Sequence, residues 1–255
     1  MVLAGCGQSP QPEETPPATP DPPVQYTTQW TAPEGRDLFD RAGELVRASV
    51  EAGDYALSFG AQGQFADFPP FPGYMDAIGA PYESDPRYTP FYYARGPKKP
   101  DTTEWSRNYY LAELTADGTT IDATVCGYSL GSSSTENYSL DLLKDAIHVR
   151  LSTTADSPGL PGIPDADPDS TDPRAHIIPS WNVFGDWKID ELVNASLTDR
   201  SSIATPCTDW WQTQFPTYTR RDGTPFLYPP EGFVFPTVPD DARQYPEWIG
   251  PADSS

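Results

Sequence analysis

Cations are scarce in this chain: Lys and Arg together number 16 against 37 Asp and Glu, a formal charge of −21 over 255 residues. That excess of negative charge repels phosphate backbones and anionic bilayer surfaces, which sets nucleic-acid binding aside. Histidine is scarcer still, with only His148 and His176, and the cysteines are Cys6, Cys126 and Cys207. With so few soft ligands and no close-spaced pair among them, no zinc site is expected, and no other cofactor is implied. Long hydrophobic runs are also missing, so no segment has the apolar length to span a bilayer as a helix.

Proline and aromatic residues are plentiful instead: 31 Pro, 7 Trp, 14 Tyr and 11 Phe. The aromatics can bury enough apolar area for an ordered core, and the prolines place long extended segments at its edges. The length suits one good-sized domain. Residues 1–33 carry prolines and almost no aliphatic side chains, and read as an extended tether. Residues 34–212 read as an α+β core domain, and residues 213–255 as a proline- and aromatic-rich extension packed on that core.

Within the core, Leu38, Phe39, Ala42, Leu45, Val46 and Val50 fall at helical spacing and form one apolar stripe. Asp37 with Arg41, and Glu44 with Arg47, are placed to pair on the polar face, and Gly53 is placed to end the helix. Residues 66–100 have no periodicity and read as an aromatic-pinned loop with a short helical turn over 73–78. Residues 105–115 and 119–128 alternate polar and apolar around Ala116-Asp117-Gly118, a hairpin signature. A third strand is expected at 146–153, a proline–aspartate loop at 156–179 and a fourth strand at 187–193. A helix followed by an antiparallel meander makes an α+β domain, with the amphipathic helix packed on one face of the sheet.

Leu3-Ala4-Gly5-Cys6 resembles the lipobox of bacterial lipoproteins, and Gln8-Ser9-Pro10-Gln11-Pro12-Glu13-Glu14 behind it resembles their proline-rich tethers. The resemblance implies that the Cys6 thiol carries diacylglycerol, anchors the chain to the membrane and becomes the mature N-terminus. A secretory signal needs a basic and an apolar region before the cleavage site, and neither precedes Cys6, so translation is expected to start upstream of Met1, the alternative being a chain that is not exported. For an exported chain, the simplest fate of Cys126 and Cys207 is a disulfide, the alternative being two buried thiols.

With the opening helix, the strand around Cys126 and the Trp187-Lys188-Ile189 strand, the chain is similar to uncharacterised lipoproteins of mycobacteria and related actinobacteria. Several of these are similar to the NTF2-like cone, a bent antiparallel sheet wrapped around N-terminal helices. That resemblance implies a domain on the extracytoplasmic face of the membrane that binds an envelope protein or a small apolar ligand without catalysis. A phage or prophage origin, with a role in blocking superinfection, is the alternative setting.

Three groupings could carry chemistry. Gly127-Tyr128-Ser129-Leu130-Gly131 fits the G-x-S-x-G nucleophile elbow, with Asp172 and His176 downstream in hydrolase order, and this carries the alternative of a secreted serine esterase. The alternation around it and the polar run after Gly131 favour a strand and turn. Asp122 and His148, with Asp190, lie on expected strands and could form an acid–base pair inside a cone, or simply face solvent. The carboxylates of Asp165, Asp167, Asp169 and Asp172 alternate as in calcium loops, but without the glycine and glutamate such loops need, so a solvated loop is expected.

Overall fold

The computed structural model describes residues 26–60, 69–79, 85–88, 91, 105–131, 145–154, 159–169, 172–221, 223–225, 227–234 and 236–251. Cys6 and the tether up to residue 25, together with residues 132–144 and Phe65, Phe68, Tyr82, Tyr92 and Tyr93 of the aromatic loop, lie outside them. The fold is mixed α+β, built on a bent, open sheet that is antiparallel except at one edge. Strand β1 (Tyr26–Thr31) runs parallel to β2 (Trp105–Ala116), and β3 (Thr120–Gly131), β4 (Asp145–Ser152) and a later strand (Lys188–Asn194) follow in antiparallel order. With the two-residue strand β5 (Ala175–His176) lying before it in the chain, that last strand is β6. Irregularities between Leu111 and Glu113 and between Arg150 and Leu151 break the ladder, and extra residues of this kind bend a sheet.

The hairpin forms where its sequence signature lies. Asp117 Oδ1 accepts from the amides of Thr119 and Thr120, and Gly118 takes a φ of +90° that favours glycine. The short turn expected at 73–78 is helix α2 (Tyr74–Ile78). Two elements depart from expectation. Residues 26–31, assigned to the tether by their proline-rich surroundings, form β1, so the long helix is not the first element. The long helix α1 (Arg41–Phe59) begins at the Asp40 cap, whose carboxylate accepts from Gly43 N at 2.7 Å. It then passes straight through Gly53 and ends at Gly60, whose φ is +90°.

One core lies between α1 and the near face of the sheet. Leu45, Val46, Val50 and Phe59 of the helix meet Tyr109, Leu111, Ile121, Val125, Ile147, Val149 and Leu192. Helix α1 is buried almost all round, because the aromatic segments and the C-terminal chain cover its other side. The expected Glu44–Arg47 surface pair is therefore buried, and Glu44 pairs instead with Arg41 at 2.5 Å.

A second core lies on the far face, where helix α3 (Thr205–Gln214) covers Ala112, Cys126 and Ala146 with Cys207 and Trp211. The Cys126–Cys207 disulfide joins β3 to α3 across this core. Trp211 also donates its indole N–H to Gly127 O at 3.1 Å. Beyond α3 the chain runs extended, with two-residue strands β7 (Thr219–Arg220) and β8 (Leu227–Tyr228) paired together and β9 (Trp248–Ile249) paired with β5.

Gly53 is explained by close approach rather than by a helix stop. A Cβ at this position would lie 2.6 Å from the buried Phe91 ring and 3.1 Å from a methyl of Leu192. Gly53→Ala gains about 1 kcal/mol of helix propensity but overpacks the core at a cost of roughly 1–3 kcal/mol. The expected result is a net loss, seen as a lower denaturant midpoint with an unchanged slope; a higher midpoint would mean that Phe91 moves aside freely.

Candidate functional site

Charged residues on α1 at positions 44, 47, 51 and 54 follow 3-4-3 spacing, so they line one stripe of the helix. All four side chains are buried, and they found two polar centres at different heights of the molecule.

In the first, Glu51 is the hub. Its Oε1 accepts from the Trp30 indole and its Oε2 from the Trp248 indole, each at 2.7 Å. The Arg47 guanidinium lies over the Trp248 ring, 4.4 Å from its centroid. Burial raises the Glu51 pKa, against the opposing pull of Arg47 and the two indole donors. Burial likewise lowers that of Arg47, with Glu51, Glu44 and Asp165 acting in the other direction.

The second centre lies where α1 passes the N-terminal end of β2. Asp54 Oδ2 sits 3.6 Å from Arg107 Nε, and Arg107 Nη1 donates to Ser129 Oγ at 3.2 Å. Asp145, at the start of β4, accepts from Asn194 Nδ2 at 2.8 Å. Burial pushes the Asp54 carboxyl up to about 7; Arg107 pulls it down, and the nearby charges of Asp145 and Glu51 add to the rise. A carboxyl that changes charge near neutrality can exchange a proton with a bound group, and such values also arise in purely structural ion pairs.

The residues singled out from sequence fall in three places. Ser129 belongs to the second centre, but strand β3 continues through it to Gly131, with Arg107 and Trp105 as its register partners. A nucleophile elbow needs a sharp strand-to-helix turn, so Gly127-Tyr128-Ser129-Leu130-Gly131 does not form one. His176 sits on β5 opposite Trp248, Asp172 is held by Arg174, and Ser129 accepts from Arg107 on the neighbouring strand.

Asp122 and His148 do meet, at 3.2 Å between Oδ1 and Nε2. They stand on the far face of the sheet, the one bearing Cys126, and not against α1. Glu191 Oε1 approaches His148 Nδ1 at 3.1 Å, and Arg150 donates twice to Asp122 Oδ2. Partial burial raises the Asp122 pKa, but the hydrogen bonds from Arg150 and His148 outweigh it and hold the carboxyl below its ordinary range. With 33% of the His148 side chain and 44% of Asp122 exposed, this strip is the solvent-facing arrangement rather than a pair inside a cone. Asp190 lies in the β6 irregularity, outside the strip.

The acidic loop is not simply solvated. Asp165 is buried and its Oδ2 accepts from Glu247 N at 2.8 Å, while Asp167 and Asp172 accept from backbone amides two residues on. Among the described residues, no cluster of His, Cys, Asp and Glu has the arrangement of a metal site. From sequence, Arg47 reads only as a surface partner of Glu44, and Glu51, Asp54, Arg107 and Asp145 are not singled out. Their signal was the 3-4-3 spacing of charges on α1, which reads as a solvated helix face until both sides of the helix are known to be covered. Comparison with protein-family models, curated proteins and solved structures returned no match.

The Asp54 centre makes a pH prediction. A folded pKa raised to about 7 means the native state holds a proton that the unfolded state releases in the ordinary carboxylate range. Its contribution to stability is full below the unfolded value and is lost as pH rises through about 7. Carboxyl-carbon NMR should show Asp54 titrating near neutrality. Asp145→Asn should lower that midpoint and Arg107→Met should raise it; an Asp54 midpoint near 4 in the wild type would remove the desolvated carboxyl from the account.

Proposed function

We propose that this chain is the extracytoplasmic domain of a lipid-anchored envelope protein, and that it holds a ligand or protein partner without transforming it. The observation that carries the reading is the buried Cys126–Cys207 disulfide. Such bonds form and persist in oxidising compartments outside the cytoplasm. With two of the three cysteines committed to it, Cys6 in Leu3-Ala4-Gly5-Cys6 is the one left to carry lipid. The acidic, proline-rich stretch behind Cys6 suits a spacer that holds the domain away from an anionic surface.

The α1-on-sheet core supports a likeness to the NTF2-like cone, with the bent sheet cupping a long helix. In this reading β1 and α3 are additions, one closing the parallel edge and the other covering the back of the sheet. The non-catalytic part rests on Ser129. Its hydroxyl lies within the last turn-free stretch of β3 and accepts from a guanidinium, which cannot take up its proton as a general base must.

The test is an intact mass of the membrane fraction after expression from an extended upstream start in an actinobacterial host. The expected species begins at Cys6, carries added acyl mass and lacks two hydrogens for the disulfide, and a fluorophosphonate probe leaves Ser129 unlabelled. A cytoplasmic chain beginning at Met1 with reduced thiols would overturn the location, and stoichiometric labelling that vanishes in Ser129→Ala would overturn the non-catalytic reading.

A further inference from the structure

Beside the Glu51 hub a cleft opens between the start of α1, the 162–165 loop and the C-terminal segment, and Phe39, Arg47, Asp165, Trp181, Glu247 and Trp248 are among its walls. Arg47 is only 3% exposed, yet its Nε and Nη1 have no hydrogen-bond partner among the described residues. Orphaned buried donors of this kind keep their full desolvation cost unless something enters to accept from them. The surrounding carboxylates are not aimed at them. Glu44 takes Gly162 N and Arg41, Asp165 takes Glu247 N, and Glu51 takes the two indoles.

The chemistry of the entering group follows by elimination. A cation cannot accept from Arg47. An anion is repelled, because the carboxylates of Glu44, Glu51, Asp165 and Glu247 outnumber the guanidiniums of Arg41 and Arg47. A neutral group that accepts from the guanidinium and donates to a carboxylate satisfies both, and a hydroxyl does so. The size agrees, since the depth of the cleft has room for about one water-sized oxygen.

The walls add a second constraint. Trp181 is only partly buried, its indole N–H held by Leu160 O at 3.0 Å, and it packs edge-on against Trp248 at 6.2 Å. An aromatic wall beside a hydroxyl pocket suits a ligand with both C–H faces and hydroxyls. Gly162 keeps the space open, because a Cβ there would lie 2.9 Å from the Trp181 ring and 3.0 Å from Glu44 Oε1.

We infer that this cleft is a subsite for a neutral saccharide, with one sugar hydroxyl accepting from Arg47 and the sugar face resting on Trp181. The inference gives a ligand class to the binding role proposed above and does not depend on the lipid anchor, so the mass measurement and this one fail independently.

The probes are methyl glycosides of glucose, mannose and arabinofuranose, titrated to about 100 mM, well above a millimolar Kd, into protein labelled at the tryptophan indoles. At least one glycoside should shift the Trp181 and Trp248 signals saturably and leave Trp211, on the other face of the sheet, in place. Trp181→Ala should weaken binding about tenfold at a temperature where the variant is fully folded, and Gly162→Ala should narrow the cleft and weaken it as well. Acetate and tetramethylammonium should have no effect. The inference is overturned if none of the glycosides shifts these signals, if acetate shifts them equally, or if a glycoside response survives intact in Trp181→Ala, any of which leaves the cleft as a site for water only.

Discussion

The rest of the structure depends on one carboxylate. Glu51 lies at the centre of α1, 1% exposed, and receives the indole N–H of Trp30 from the first strand and of Trp248 from the last. A buried charge is costly unless it is paired and hydrogen-bonded, and here the protein supplies a guanidinium and two indole donors. Gln244 adds a contact to the same carboxylate and also binds the backbone of β1, its Oε1 accepting from Thr28 N at 2.7 Å. Tyr245 then exchanges backbone hydrogen bonds of 2.8 Å with Thr28 and Trp30. The exposed edge that β1 would otherwise present is closed by the C-terminal chain, so one residue on the helix fixes both ends of the domain.

The two faces of the sheet are secured by different means. On the near face, α1 buries a continuous apolar layer. On the far face α3 is only 10 residues long, and a disulfide plus the Trp211 bond to Gly127 hold it where its own apolar area is modest. It covers the half of that face around Cys126. The other half is left to the Asp122, His148, Arg150 and Glu191 strip, a partly exposed ion-pair network of the kind that contributes little to stability. The alternation of β3 and β4 records this division: residues facing α1 are apolar from Ile121 to Val125 and from Ile147 to Leu151 and turn polar at Ser129 and Asp145, beside the Asp54 centre, while those on the other face are charged around Asp122 and Arg150 and apolar around Cys126 and Ala146.

What the sequence made legible was whatever depends on local pattern. The hairpin, the strands at 145–152 and 188–194, the turn at 74–78 and the apolar stripe of α1 follow from alternation, helical periodicity and turn residues. Strand β1 was hidden because Thr27, Thr28 and Gln29 carry no apolar stripe, and its pairing partner begins at Trp105, far along the chain. Helix α3 was hidden because Thr205, Thr208, Asp209 and Gln212 dilute its apolar side to Cys207 and Trp211. Gly53 misled because a glycine that admits a neighbouring ring and one that ends a helix look alike in sequence. The polar centres needed the tertiary structure: Glu44, Arg47, Glu51 and Asp54 are a solvated stripe until the C-terminal segment and β2 cover them.

The measurement that tests the central role of Glu51 most directly is hydrogen exchange of the Trp30 and Trp248 indole protons, with the backbone amides of residues 26–31 and 244–249, in the wild type and in Glu51→Gln. The wild type should protect both indoles as strongly as the β3 core. The variant, whose side chain can accept through only one oxygen, should release both segments together while β2, β3 and β4 stay protected. Unchanged protection of both indoles in Glu51→Gln, or release of one segment without the other, would contradict the account.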